Sequence, residues 1–251
     1  MVVWISNRVG QFAYFDAILG QPDWAAAKVL DFGGNTGNIL LDSRCTIRPE
    51  SYWCLDIERD AIAQGQRRFP AAHFVGYDRY NFEYNPGGTD QPLPDLGQRF
   101  DIVLAMSVFT HTSKTEMRDL VEQLRSMMTE DGVLAFTFID PYFLPPDGWA
   151  RGDEYPGLDN LMWRLVQAPD LRQDPATIAA EARQSRLTWA TIANNEQFVS
   201  DSPDEWVSAG DERSQYITLC TEEHMQSIYP DAEVTPPVRP ERFSCCVLRS
   251  Q

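Results

Sequence analysis

Between residues 25 and 140, short and nearly continuous apolar runs alternate with segments whose apolar residues recur at helical spacing. The runs at 28–32, 51–56, 72–78, 100–109 and 133–139 predict five strands. Residues from about 36 onward, then 58–69 and 114–128, predict helices between them. In the last of these Met117, Leu120, Val121, Leu124 and Met127-Met128 mark one buried face. A Pro/Gly stretch at 86–97 predicts a loop, and Glu130-Asp131-Gly132 a glycine stop for the preceding helix. Regular alternation with strands apolar on both faces predicts an α/β fold with a doubly wound, mostly parallel sheet.

The rhythm breaks at Asp140-Pro141. From there to about 215 the chain is rich in Pro and aromatic residues, with helical fragments at 158–167 and 175–185 and a strand-like one at 186–193. So long a stretch predicts an inserted aromatic-rich lobe at 141–214, leaving 1–140 and 215–251 as the core. A helix at 221–229, opened by Thr221 and followed by Glu222-Glu223, and strands near 231–235 and 243–249 close the chain.

Composition narrows the class. The 251 residues are 43% hydrophobic, as suits a packed domain. No apolar stretch approaches the roughly 20 residues of a membrane span. The N-terminus lacks the layout of a secretory signal, so a soluble, cytoplasmic protein is expected. A net charge of −16 disfavours nucleic acid as a partner. Five cysteines without a CxxC spacing, and three scattered histidines, predict neither a disulfide framework nor a metal site. Oligomeric state stays open.

The richest segment is VLDFGGNTGN at 29–38, where a buried strand delivers Asp31 into a turn containing Gly33, Gly34 and Gly37 before a helix begins. Glycines there permit positive φ and let a ligand approach the backbone. In an open α/β sheet that first strand-to-helix turn is where a nucleotide-like cofactor binds. A dinucleotide pattern fits poorly, since asparagine stands at the third and sixth places of the turn. The acid at Asp31 also disfavours a pyrophosphate.

VLDFGGNTGN resembles motif I of class I S-adenosylmethionine-dependent methyltransferases, D-x-G-x-G-x-G, with Asn35 in place of the central glycine. Asn tolerates the left-handed region better than most residues, so the turn can survive the change. Further features follow in that family's order. Asp56, with Ile57 beside it, matches the acid that accepts the ribose hydroxyls. Asp78, with Arg79 beside it, matches the polar position next to the adenine. FDIVLAMSVFTH and DGVLAFTF resemble the family's fourth and fifth strands. The resemblance implies a seven-stranded Rossmann-like sheet, S-adenosyl-L-methionine (SAM) as cofactor and methylation of O, N or C on a small molecule, plausible for specialised bacterial metabolism.

It also implies roles for residues. Asp31 and the turn residues Gly33, Gly34, Asn35 and Gly37 face the methionine end, and Met106 and Ser107 line the reaction centre. His111 is a candidate general base, with shaping the pocket or capping the next helix as its plainer role. Asp140 is a second candidate base, or simply bounds its strand. Tyr14 could reach the cofactor carboxylate or pack in the core. Phe143, Trp149 and Trp163 are candidates for an acceptor wall, with packing inside the lobe as the alternative. Two other readings are an enzyme using SAM for cyclisation or aminopropyl transfer, and a non-catalytic SAM-binding partner subunit.

Overall fold

The computed structural model describes residues 10–81, 84–140, 206–210, 215–236 and 243–250. In chain order its elements are α1 (Gln11–Ile18), β1 (Val29–Phe32), α2 (Asn38–Asp42), β2 (Tyr52–Asp56), α3 (Arg59–Arg68), β3 (His73–Gly76), β4 (Arg79–Asn81) and β5 (Asn85–Asp90). There follow β6 (Phe100–Ala105), α4 (Lys114–Ser126), β7 (Met128–Phe138), β8 (Trp206–Gly210), β9 (Gln215–Cys220), α5 (Glu222–Ile228), β10 (Glu233–Thr235) and β11 (Ser244–Arg249). Seven strands form one sheet in the order β10-β11-β7-β6-β1-β2-β3. Each neighbouring pair from β7 to β3 runs parallel. The expected doubly wound, mostly parallel sheet is therefore present.

Chain order reverses on either side of β1: β2 and β3 lie to one side, β6 and β7 to the other. Such a switch point opens a crevice at the carboxyl ends of the strands. All four residues of β1 are buried, as are five of the six in β6, which is why these strands show no alternation. Helix α3 begins where the Glu58 carboxylate accepts from the N–H groups of Asp60 and Ala61, and it ends on Arg67 and Arg68. Helix α4 buries Met117, Leu120, Val121 and Leu124, the face its sequence predicts. Helix α1 is fastened by Asp42, whose Oδ2 accepts from the N–H groups of Gly10 and Phe12 at 2.9 Å each.

The structure departs from the sequence reading in three places. Residues 86–90, expected as part of a loop, belong to a strand, Asn85–Asp90, paired antiparallel with β4. Gly88 makes this possible, because a Cβ there would strike the Arg79 carbonyl. The Glu130-Asp131-Gly132 stop is instead absorbed into β7. Helix α4 ends at Ser126, and Met128 already pairs with Phe100 before the register shifts to Ile102 with Val133. The fourth strand, expected to run onto a turn by 109, ends at Ala105, and Ser107 turns at φ 58°. A second small antiparallel pair, β8 with β9, occupies ground where no strand was expected.

The chain divides into two compact units, one of Met1–Phe109, Met117–Thr137 and Cys245–Gln251, the other of Thr110–Glu116 and Phe138–Ser244. Within the second, the Thr218 hydroxyl donates to the Thr112 carbonyl at 2.7 Å, and Cys220 N–H donates to Ile139 O at 2.9 Å. The helices expected at 158–167 and 175–185 and the strand at 186–193 lie outside the described residues. Among the described residues no helix is long and apolar enough to cross a membrane.

Gly65, on α3, faces the Phe74 ring of β3 so closely that an added Cβ would lie 2.6 Å from Cζ, with two ring atoms nearer still. Phe74 is itself stacked on Phe69 and set against Tyr52, so it has nowhere to retreat. Replacing glycine by alanine in a helix gains up to about 1 kcal/mol, whereas overpacking costs about 1–3 kcal/mol. Gly65→Ala is expected to lower stability in urea titration by about 1–2 kcal/mol. Unchanged or raised stability would show that the ring yields.

Candidate functional site

The turn after β1 is tied to β2 along its length. Gly33 N–H donates to Leu55 O at 2.8 Å, and Asn35 N–H to Asp56 Oδ2 at 2.8 Å. Asn35 sits in the left-handed region at φ 52°, and its own Oδ1 accepts from Thr36 N–H at 2.9 Å. That local bond is how asparagine holds a conformation usually left to glycine. Gly37, at φ 82°, leads into α2. Gly34 is required for space: a Cβ there would lie 2.5 Å from Asp31 Oδ2 and 2.9 Å from Cys54 Sγ.

Beneath Gly34 lies a buried polar cluster. Asp31 is 1% exposed and Tyr52 fully buried, and the Tyr52 hydroxyl donates to Asp31 Oδ2 at 2.5 Å. The Cys54 thiol donates to the Asn35 carbonyl at 3.5 Å. Burial pushes the Asp31 carboxyl up to about 7, against the lowering effect of the Tyr52 bond and with a further rise from Asp56. Burial also raises Tyr52 and Cys54 well above their ordinary ranges.

Asp56, at the end of β2, receives Glu58 N–H on Oδ1 and Asn35 N–H on Oδ2, both at 2.8 Å. Burial raises its pKa, with those N–H groups pulling the other way. A third backbone N–H, from Ile57, also acts on this carboxylate. Ile57, the next residue, is half-buried.

Two residues beyond β3, Asp78 receives the Asn85 side-chain amide on Oδ1 and the Thr89 hydroxyl on Oδ2, both at 3.1 Å. Arg79 pairs through Nη2 with Asp119 on α4 at 3.2 Å. On the other side of β1, Met106 is buried, and Ser107 N–H donates to the fully buried Thr137 hydroxyl at 2.7 Å. A Cβ on Gly33 would run into Val108, so the turn after β6 faces the glycine turn directly. The carboxyl ends of β1, β2, β3 and β6 thus bring Gly33–Gly37, Asp56, Asp78 and Ser107 to one edge of the sheet.

Residues 30–134 match the family model described as a methyltransferase domain. Similar solved structures include a Burkholderia thailandensis 1,6-didemethyltoxoflavin N1-methyltransferase with bound 1,6-didemethyltoxoflavin and S-adenosylhomocysteine. It has a TM-score of 0.51 and 14% identity, over 99% of this chain and 81% of that one. A SAM-bound amino pentose methyltransferase of calicheamicin biosynthesis from Micromonospora echinaspora gives 0.51 and 15%, over 98% and 94%. The glycopeptide N-methyltransferase MtfA, in complex with S-adenosyl-L-homocysteine, gives 0.52 and 11%, over 96% and 90%. Residues 30–134 are thus similar to a methyltransferase domain. The likeness to the solved structures is one of fold.

The other candidates are placed as follows. Tyr14 is buried on α1, its ring edge-on to Phe15 at 5.3 Å. His111 ends a 3-10 turn, Phe109–His111, after β6 and is half-buried. Asp140 is buried, and its Oδ2 accepts from Glu222 N–H at 2.8 Å, at the first residue of α5. Phe143, Trp149 and Trp163 lie outside the described residues. Among the described residues no group of three or more His, Cys, Asp or Glu could hold a metal ion. Sequence reasoning missed Tyr52 and Cys54 as members of the site. Their alternation with Trp53 and Leu55 puts them on the same strand face as Asp56, which was a usable signal.

The buried acid makes a pH prediction. An unfolded aspartate titrates near 4. Between about 4 and 7 the folded chain therefore holds a proton on Asp31 that the unfolded chain releases, so stability falls as pH rises through that window. Asp56, raised in the same sense, adds to the fall. The Asp31 share is up to about 4 kcal/mol. Asp31→Asn keeps an acceptor for Tyr52 and is expected to flatten the slope of unfolding free energy against pH. An unchanged slope would contradict this electrostatic account.

Proposed function

We propose that the protein uses SAM as cofactor and methylates an O, N or C atom of a small molecule, in specialised bacterial metabolism. The observation that carries the cofactor reading is a pair of buried carboxylates, Asp31 under the glycine turn and Asp56 beside it. Such a cradle repels the pyrophosphate of a dinucleotide and favours a ligand that carries positive charge. SAM brings an ammonium and a sulfonium, and its ribose offers hydroxyl donors to the acceptor-only carboxylate of Asp56. The residues present therefore fit the group. The small-molecule reading is supported by the toxoflavin-precursor and amino pentose methyltransferases that share the fold.

When bound, the sulfonium supplies an activated methyl group. The protein's part is to align the acceptor, exclude water and receive a proton where the acceptor loses one. The turn residues Gly33–Gly37 hold the amino acid end, Asp56 and Ile57 the ribose, and Asp78 the purine. Met106 and Ser107 border the methyl group. Arg79 is assigned to fastening the segment after β3, through Asp119, instead of to cofactor contact. His111 is the proton acceptor in this reading. Asp140 has a structural task at the start of α5. Phe143, Trp149 and Trp163 are assigned to the acceptor wall.

Mass spectrometry of small molecules released from the purified protein, followed by titration calorimetry, tests this reading. S-adenosylhomocysteine is expected to bind and NAD not to. Asp56→Ala is expected to weaken S-adenosylhomocysteine binding by about 30-fold or more, the effect of losing hydrogen bonds to a charged group. Bound methylthioadenosine would point to cyclisation or aminopropyl transfer. Bound NAD would overturn the cofactor assignment.

A further inference from the structure

The hairpin of β4 and β5 lies outside the seven-stranded sheet, yet its side chains converge on Asp78. Asn85 Nδ2 donates both to Asp78 Oδ1 at 3.1 Å and to the Arg79 carbonyl at 2.9 Å, so one amide joins the carboxylate to the strand behind it. The Thr89 hydroxyl lies 3.1 Å from Asp78 Oδ2 and 3.2 Å from the Asp78 carbonyl. Gly88 lets the strands close this tightly.

The segment is pinned to α4 at both ends. Arg79 meets Asp119 at 3.2 Å, and Leu93 N–H donates to Gln123 Oε1 at 2.7 Å. Asp119 in turn accepts from Gln123 Nε2 at 2.9 Å. A hairpin held in this way has one orientation to offer Asp78. The approach to Asp78 is fixed as well, since Tyr77 N–H donates to Asp56 O at 3.1 Å and the Tyr77 ring packs on Phe32 at 5.9 Å.

We propose that this hairpin sets the purine specificity of the cofactor site, Asn85 and Thr89 holding Asp78 as an acceptor that takes a 6-amino purine and rejects a 6-oxo purine. The inference rests on the cofactor reading above. A carboxylate has only acceptor positions. The exocyclic amino group of adenine donates to it. At the same position a 6-oxo purine turns carbonyl lone pairs toward it and carries its donor on N1, out of line with a carboxylate that cannot move. A carboxylate free to swing could turn aside and admit both; one bonded through both oxygens cannot. Asn85 and Thr89 are positioning residues in this scheme, and Asp78 is the group that meets the ligand.

The test is titration calorimetry of the full chain with S-adenosylhomocysteine and its 6-oxo analogue, S-inosylhomocysteine. The wild type is expected to prefer the adenine compound by about tenfold or more, the scale of one well-placed hydrogen bond. Thr89→Val, of the same shape without the hydroxyl, is expected to cut that preference at least about threefold, and Asn85→Ala with Thr89→Val to bring it near one. Thr89→Ser is expected to restore it. If the double variant does not fold, Thr89→Val alone decides. A preference that survives while both affinities fall equally would mark the hairpin as merely stabilising and overturn the proposal. A wild type that binds the adenine compound but shows no preference would also overturn it and leave the cofactor reading intact. A wild type that binds neither compound would overturn the cofactor reading itself.

Discussion

The carboxylate of Asp56 organises the ligand edge of the sheet. Its two oxygens draw in one N–H from the turn after β1 and one from the turn after β2, each at 2.8 Å. Hydrogen bonds to a charged acceptor contribute about 1.5–3 kcal/mol each, enough to offset the left-handed conformation that Asn35 must adopt. Gly33, bonded to Leu55 O, and Gly34, resting on Asp31 and Cys54, complete a turn that is fixed from below. Glycine is needed at Gly33, Gly34 and Gly37 because Val108, Asp31 with Cys54, and Phe74 with Phe69 pack against the backbone there.

That arrangement sets electrostatics against stability. Asp31, Tyr52, Cys54 and Asp56 are buried together, and burial pushes each toward its neutral form. Near neutral pH the two carboxyls cost folding free energy that a purely apolar cluster would not. Binding of a cationic ligand relieves part of that cost and couples site occupancy to stability. Tyr52 moderates it in the unliganded chain by donating to the deeper of the two acids.

Much of this was legible in the sequence, and the limits have physical causes. Strands β1, β6 and β7 announce themselves as apolar runs because both of their faces are covered. The order of Asp31, the glycine turn, Asp56 and Asp78 gave the outline of the cradle. Residues 86–90 misled because Pro and Gly usually mark loops, while here Gly88 serves the close approach of two strands. Gly132 misled for the opposite reason, since the partner strand continues to claim the backbone after α4 has ended. The bond between Tyr52 and Asp31 links positions twenty-one residues apart and depends on the register of β1 with β2, which no local pattern encodes. Asp140 stood open between a base and the end of its strand, and its bond from Glu222 N–H rests on tertiary structure that no local pattern encodes.

The most direct test of the account is amide hydrogen exchange, residue by residue, in wild type and Asp56→Ala. If Asp56 holds the cradle, protection at Asn35 and Glu58 should drop sharply in the variant, while amides in the interior of β1 and β6 keep theirs. Undiminished protection at Asn35 and Glu58 would contradict it, because the turn would then be held by something other than this carboxylate.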